Sequence, residues 1–215
     1  MRNLTMQRSH SRILTTHTGS LPRPRDLTRL YAARARGDPV DAAEINHAGR
    51  EAVRAIVRKQ RDAGIDVGNN GEQQRDSFFL YLKARLSGLG GSWERPSRAD
   101  IDRYPEFKRM WIEQQASKTQ VSALGGLPKA IGEVRYLDDR AIDEECRYFR
   151  AVLDEMPGAF VEPFMSAPSP GILAMAVRNE YYDTLEAYLA ALGAAAFVPH
   201  GRAAPRTHGQ RSKPA

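Results

Sequence analysis

Three short loops hold the residues whose types could do chemistry: Thr15-Thr16-His17-Thr18-Gly19-Ser20, Gly68-Asn69-Asn70-Gly71-Glu72, and Met165-Ser166-Ala167-Pro168-Ser169-Pro170-Gly171. A carboxylate such as Glu72 can hold a cation, and a hydroxyl beside open backbone N–H groups, as at Gly19 and Ser20, can hold an anion. Each has a plainer use. Gly19 and Ser20 can simply turn the chain, and Glu72 can sit at a helix N-terminus favoured by the dipole. His17 stands at a strand end, where a lone histidine is more often a hydrogen-bonded packing residue than a ligand. Asn69 and Asn70 can shape a pocket or merely tolerate the left-handed backbone of a tight turn. Cys146 is the single cysteine, so neither an internal disulfide nor a multi-cysteine metal site can form.

The elements that position these loops alternate between strand and helix. Residues 13–18 are β-prone and end at Gly19 through Pro24, where glycine and two prolines stop a strand. A helix is expected over residues 25–36. A longer one follows from Asp41, with Glu44 three residues on as in a capping box, and Ile45, Ala48, Ala52, Val53, Ile56 and Val57 on one face. Residues 65–67 form a brief strand, followed by a helix through Phe78, Phe79, Leu82 and Leu86. Residues 90–128 are polar and interrupted by Gly and Pro, an excursion from the scaffold. A strand over residues 130–137 precedes a helix opened by Asp138 that turns Ile142, Cys146, Phe149, Leu153 and Met156 inward, which makes Cys146 a core residue. Residues 159–164 form a further strand, and a last helix shows Tyr182, Leu185, Leu189 and Leu192 on one face. This alternation predicts an α/β fold with a parallel sheet or barrel, whose binding groups gather on the loops after the strands.

Composition narrows the partners. With 41% hydrophobic and 27% charged residues, the 215-residue chain can bury one core. No apolar run approaches the ~20 residues that cross a bilayer, and residues 1–12 lack the core of a signal peptide, so a cytoplasmic protein without membrane association is expected. The net charge of +6 sits at the ends: Arg2, Arg8 and Arg12 at one, and Arg202, Arg206, Arg211 and Lys213 at the other. Basic ends bind polyanions weakly and without sequence preference, so no specific nucleic-acid partner is expected.

Residues 15–24, 66–72 and 167–171, in this order, resemble the C-terminal catalytic domain of cobalamin-independent methionine synthase. YLKARLSGLGG from Tyr81 and NEYYDTLEAYLAAL from Asn179 are similar to the shorter single-domain branch, which includes epoxyalkane:coenzyme M transferase. The resemblance runs over residues 12–192 and implies a partial (β/α)8 TIM barrel, its N-terminal half to two-thirds. It also implies methyl or alkyl transfer to a thiol in methionine biosynthesis. The substrate's amino-acid part would be held by Thr18, Gly19, Ser20 and Glu72, with His17, Arg23, Asn70 and Arg75 as further pocket residues. For a sulfonate-bearing thiol, which has no ammonium group for Glu72, Arg23 or Arg75 become the partners.

The family's reaction uses zinc, which binds the sulfur as a thiolate and makes it a nucleophile at neutral pH. The resemblance places its ligands, a His-x-Cys pair, a glutamate and a second cysteine, on later strands. This sequence contains no His-x-Cys. No catalytic or metal residue is therefore expected here, and the chain alone is expected to be inactive. From Gly193 the text runs GAAAFVPHGRAAPRTHGQRSKPA, without acidic residues or periodicity, like the product of a shifted frame. His200 and His208 stand in it without metal-site spacing. The expected organisation is a basic extension at 1–12, an incomplete barrel at 13–192 and an irregular basic tail at 193–215. The alternatives are a non-catalytic thiol or amino-acid-binding remnant and one half of a split enzyme. An open barrel edge would invite self-association or a complementing chain.

Overall fold

The structure, a computed structural model, describes residues 8–78, 80–94, 99–116 and 126–197. It is a mixed α/β chain of α1 (Arg25–Arg36), α2 (Ala42–Asp62), β1 (Val67–Gly68), a 3-10 helix (Leu80–Ala84), β2 (Leu89–Trp93), α3 (Ala99–Asp102), α4 (Pro105–Ala116), β3 (Leu127–Ala130), α5 (Arg140–Glu155), β4 (Glu162–Pro163), α6 (Pro170–Ala176), β5 (Arg178–Asn179) and α7 (Leu185–Phe197). His200 and His208 lie outside the described residues.

The long amphipathic helix α2 is the hub. Asp41 caps it by accepting the Ala43 N–H at 2.9 Å. One side of its apolar stripe, Ile45 and Ala52, packs on Leu27 and Tyr31 of α1. The other, Val53 and Val57, packs on Phe149 and Val152 of α5 and on Ala159. Each such buried side chain contributes roughly 1.5–3 kcal/mol. Gly37 ends α1 in the left-handed conformation that a glycine adopts without penalty.

Three strand segments lie side by side in sequence order. Thr16 bridges Val67 in parallel, and Val67 and Gly68 pair in parallel with Glu162 and Pro163. The expected first strand is thus reduced to one bridge, reinforced by the Thr16 hydroxyl donating to the Val67 carbonyl at 2.8 Å. All three carboxyl ends point the same way, so the loops after residues 18, 68 and 164 meet. A second sheet pairs β2 antiparallel to β3 and β3 parallel to β5.

Several expectations are corrected. Residues 90–128 hold α3, α4, most of β2 and the start of β3, because β2 and β3 pair across the excursion. Turns replace the expected helix through Phe78, since residues 71–78 fold around buried polar groups, and only Leu80–Ala84 coils. Phe79 is outside the described residues. The strand expected over 130–137 ends at Ala130, where Gly88 passes so close to the Gly132 and Glu133 carbonyls that a Cβ could not fit. On α5 the buried face is Ile142, Glu145, Phe149 and Val152, so Cys146 is half-buried rather than core. Polar Glu145 takes the inward position that an apolar reading gave to the cysteine. On α7, Leu185 and Leu189 are exposed, whereas Tyr188, Leu192, Ala195 and Ala196 are buried, and the helix runs on through Phe197. Among the described residues, no helix is long and apolar enough to cross a membrane.

Arg12, expected in a free basic extension, forks onto both Asp66 oxygens at the edge of β1, and Asp66 also accepts the Thr15 N–H at 2.8 Å. The Arg12 hydrogen bonds, then the Thr15 amide, hold the Asp66 carboxyl far below its usual range. A carboxylate with a depressed folded pKa contributes stability above its unfolded value of about 3.9, and loses it as pH falls further. Denaturant midpoints of the wild type and Asp66→Asn are therefore expected to differ at pH 6 and to converge as pH drops below about 4. A constant difference across that range would show the pair to be inert.

Candidate functional site

The loop after β1 is built by its own side chains. Asn69 Oδ1 accepts the Gly71 N–H at 2.8 Å, and Asn70 Oδ1 accepts the Glu72 N–H at 3.0 Å. Gln60, on the buried stripe of α2, receives the Asn69 N–H at 3.0 Å and donates to the Asn69 carbonyl at 2.8 Å. The same amide oxygen lies 2.7 Å from His17 Nε2, and His17 Nδ1 lies against the Thr18 carbonyl. His17 therefore ties the first strand end to α2.

This scaffolding sets Glu72 at φ 55, the only non-glycine residue with positive φ among those described. Such strain stands at about 1–3 kcal/mol and persists only where the surroundings impose it. The Glu72 side chain is wholly buried. Ser166, just past the end of β4, donates its hydroxyl to Glu72 Oε1. Gly19 presses on both, and a Cβ there would collide with Glu72 Oε1 and Ser166 Oγ. Glu72 Oε2 is buried without a hydrogen-bond partner, as is Asn70 Nδ2. An unpaired acceptor and an unpaired donor two residues apart are unusual, because buried polar atoms are nearly always satisfied.

Of the expected site residues, the structure brings Gly19, Asn70 and Glu72 together. Thr18 and Ser20 are exposed at the rim. Arg23 donates to the Glu72 main-chain carbonyl at 3.1 Å, not to the carboxylate. Burial pulls its guanidinium below the ordinary value, while Tyr31 and Glu72 act in opposition. Arg75 is also committed: it donates to Glu145 Oε2 at 3.0 Å and to the Ser166 carbonyl at 2.8 Å. Glu145 receives Arg85 on its other oxygen, and both guanidinium groups lie 4.6 Å from the Tyr81 ring centre. A small apolar-walled cleft opens beside this cluster, between Tyr81, Tyr136 and Pro168, away from Glu72.

Sequence reasoning missed Ser166, Gln60 and Glu145 as site residues. Ser166 had a signal, since it follows its strand as Gly19 and Glu72 follow theirs. Gln60 and Glu145 are polar residues at apolar-stripe positions, a signal visible only once each helix's phase is fixed.

No three His, Cys, Asp or Glu side chains converge among the described residues. Burial, with Glu145 adding to it, pushes the Cys146 thiol up, away from the thiolate that a metal needs.

No family model matches the chain. Methionine synthase from Thermococcus kodakarensis is 35% identical over 172 residues, 80% of this chain and 43% of that protein. Methionine synthase from Sulfolobus acidocaldarius is 29% identical over 133 residues, 60% of this chain and 32% of that protein. A B12-independent methionine synthase from Shewanella sp. W3-18-1, solved in complex with selenomethionine, superposes on 81% of this chain and 43% of its own. Its TM-score is 0.53, at 20% identity. Over most of its length the chain is similar to methionine synthases of the cobalamin-independent kind. It spans less than half the length of these methionine synthases. The T. kodakarensis methionine synthase match takes in four-fifths of the chain. At 20% identity, the Shewanella methionine synthase adds agreement in fold.

Proposed function

We propose that this chain recognises the amino-acid end of a homocysteine-like thiol and serves methyl transfer to that sulfur in methionine biosynthesis. The framework of the reading is a partial (β/α)8 barrel, supported by three parallel strand ends in sequence order whose loops meet at one side. The observation that carries it is Glu72: a buried carboxylate, held in a strained conformation, with one oxygen left without a partner. A substrate ammonium supplies the charge and N–H donors that this oxygen lacks. The substrate carboxylate suits Asn70 Nδ2, with the Ser20 hydroxyl and Gly19 turn as further donors.

A sulfonate thiol of the coenzyme M kind is the weaker reading, because Arg23 and Arg75 already hold protein carbonyls and Glu145. The family's zinc supplies a thiolate nucleophile. The described residues do not form its ligand set, so recognition is the part assigned to this chain.

Calorimetric titration with L-homocysteine, with its amine-free analogue 4-mercaptobutyrate and with 2-mercaptoethanesulfonate tests the reading. A desolvated charge pair is worth about 2–5 kcal/mol, so homocysteine is expected to bind at least about thirtyfold tighter than the analogue. Equal affinities, or tighter binding of the sulfonate, would sink it.

A further inference from the structure

Three consecutive carbonyls of the strained loop, Gly71, Glu72 and Gln73, each accept a hydrogen bond from the segment that follows the first strand. The donors are the Leu21 N–H at 3.1 Å, Arg23 Nη2 at 3.1 Å and the Tyr31 hydroxyl at 3.0 Å. Gln73 returns the contact, its amide donating to the Leu21 carbonyl at 3.0 Å. The middle bond is the one at the left-handed residue. The Glu72 carbonyl also takes the Arg75 N–H at 3.1 Å, so among the described residues Arg23 is the one side chain that fixes that peptide from outside the loop.

Arg23 is placed for little else. Its Nε is buried without a hydrogen-bond partner, and its guanidinium lies 5.8 Å from the Tyr31 ring centre. Asp76 pairs with Arg34 at 3.5 Å and, like the Glu72 carboxylate, also attracts the Arg23 guanidinium. A buried guanidinium with an unmet N–H is kept only where its remaining bond matters.

We infer that Arg23 is a positioning residue: by holding the Glu72 carbonyl, it keeps Glu72 left-handed and its carboxylate seated between Gly19 and Ser166. A relaxed Glu72 peptide swings the carboxylate out of that seat, because the side chain leaves Cα in a different direction when φ changes sign. Arg23 thus acts on ammonium recognition through Glu72 and touches no substrate itself. This rests on the reading of Glu72 given above.

The test uses the purified full chain and the ratio of affinities for L-homocysteine and 4-mercaptobutyrate. That ratio isolates the ammonium, and a general loss of packing would weaken both ligands alike. Arg23→Met is expected to lower the ratio about tenfold, the equivalent of about 1.4 kcal/mol. Arg23→Lys, which keeps a donor, is expected to return toward the wild-type ratio. Where Arg23→Met does not fold, as judged by circular dichroism, Arg23→Gln carries the same expectation, its amide being too short to reach the carbonyl. A wild type that prefers homocysteine, with the preference unchanged in Arg23→Met or no recovery in Arg23→Lys, overturns the positioning role and leaves Glu72's role standing. A wild type with no preference overturns both.

Discussion

Glu72→Gln is expected to weaken L-homocysteine binding by about 2–5 kcal/mol while raising the stability of the ligand-free chain. The two signs oppose because the same oxygen serves both. Without ligand, Glu72 Oε2 is a wholly buried atom with no hydrogen-bond partner, and leaving a buried acceptor unmet stands at about 1–3 kcal/mol. Glutamine removes the charge, keeps the shape and still offers an oxygen to the Ser166 hydroxyl. With ligand, the charge is what an ammonium pairs with, and an amide replaces it poorly. Thermal melts with and without homocysteine check both halves. A variant that is less stable and binds as the wild type does would mean that Glu72 is structural and the subsite lies elsewhere.

Glu145→Ala is expected to cause the largest loss of stability of any single truncation on α5. Glu145 is 3% exposed and its two oxygens serve Arg75 and Arg85, of which Arg75 is 1% exposed. Burial works against the charge on Arg75, and Glu145, together with Tyr81 and Glu72, more than offsets it, so the guanidinium stays above its ordinary value. Removing one partner of a buried ion network leaves uncompensated charge, at about 3–5 kcal/mol. In a chain of this size each kcal/mol moves the melting point by about 2–4 °C. Glu155→Ala, which removes the exposed partner of Arg54 on the same helix, serves as the control and is expected to change little. Equal effects from the two variants would show the Arg75 cluster to be hydrated rather than buried. Because Arg75 also carries the Ser166 carbonyl, Glu145→Ala is expected to loosen the site as well as the fold.

The sequence made helices α1 and α2 legible to within a residue, because both are amphipathic over three or more turns and end at Gly37 and near Gly64. The convergence of Gly19, Asn70 and Glu72 was also legible, through the rule that parallel strands deliver their loops to one side. The strands themselves were over-read: β1 and β4 are two residues each, and a short apolar run does not distinguish a ladder from an extended segment. The inward faces of α5 and α7 were read in part: Ile142, Phe149 and Leu192 are buried as expected, whereas Cys146, Leu185 and Leu189 are not, for a physical reason. On α5 a charged residue, Glu145, is buried because two arginines from a distant turn reach it, and no local pattern announces such a partner. On α7 the small residues Ala195 and Ala196 are buried while Leu185 and Leu189 face outward, so side-chain size misled where position decided. Thr18, Gly19 and Ser20 were carried over together from the resemblance, and of the three Gly19 makes the close approach to Glu72, which only a residue without a Cβ can do.

The bond from Ser166 to Glu72 joins positions 94 apart in the chain, and the one from Asn69 to Gly19 joins positions 50 apart. Closing loops of that length precedes any reward from the contact, which places these contacts late in folding. During synthesis, Glu72 stays solvated until residue 166 has emerged and β4 has found β1. The strained peptide is thus imposed by an already assembled scaffold rather than by the loop's own preference. A ligand that binds there acts on the whole chain at once, because it stabilises the folded ensemble in proportion to the logarithm of its concentration.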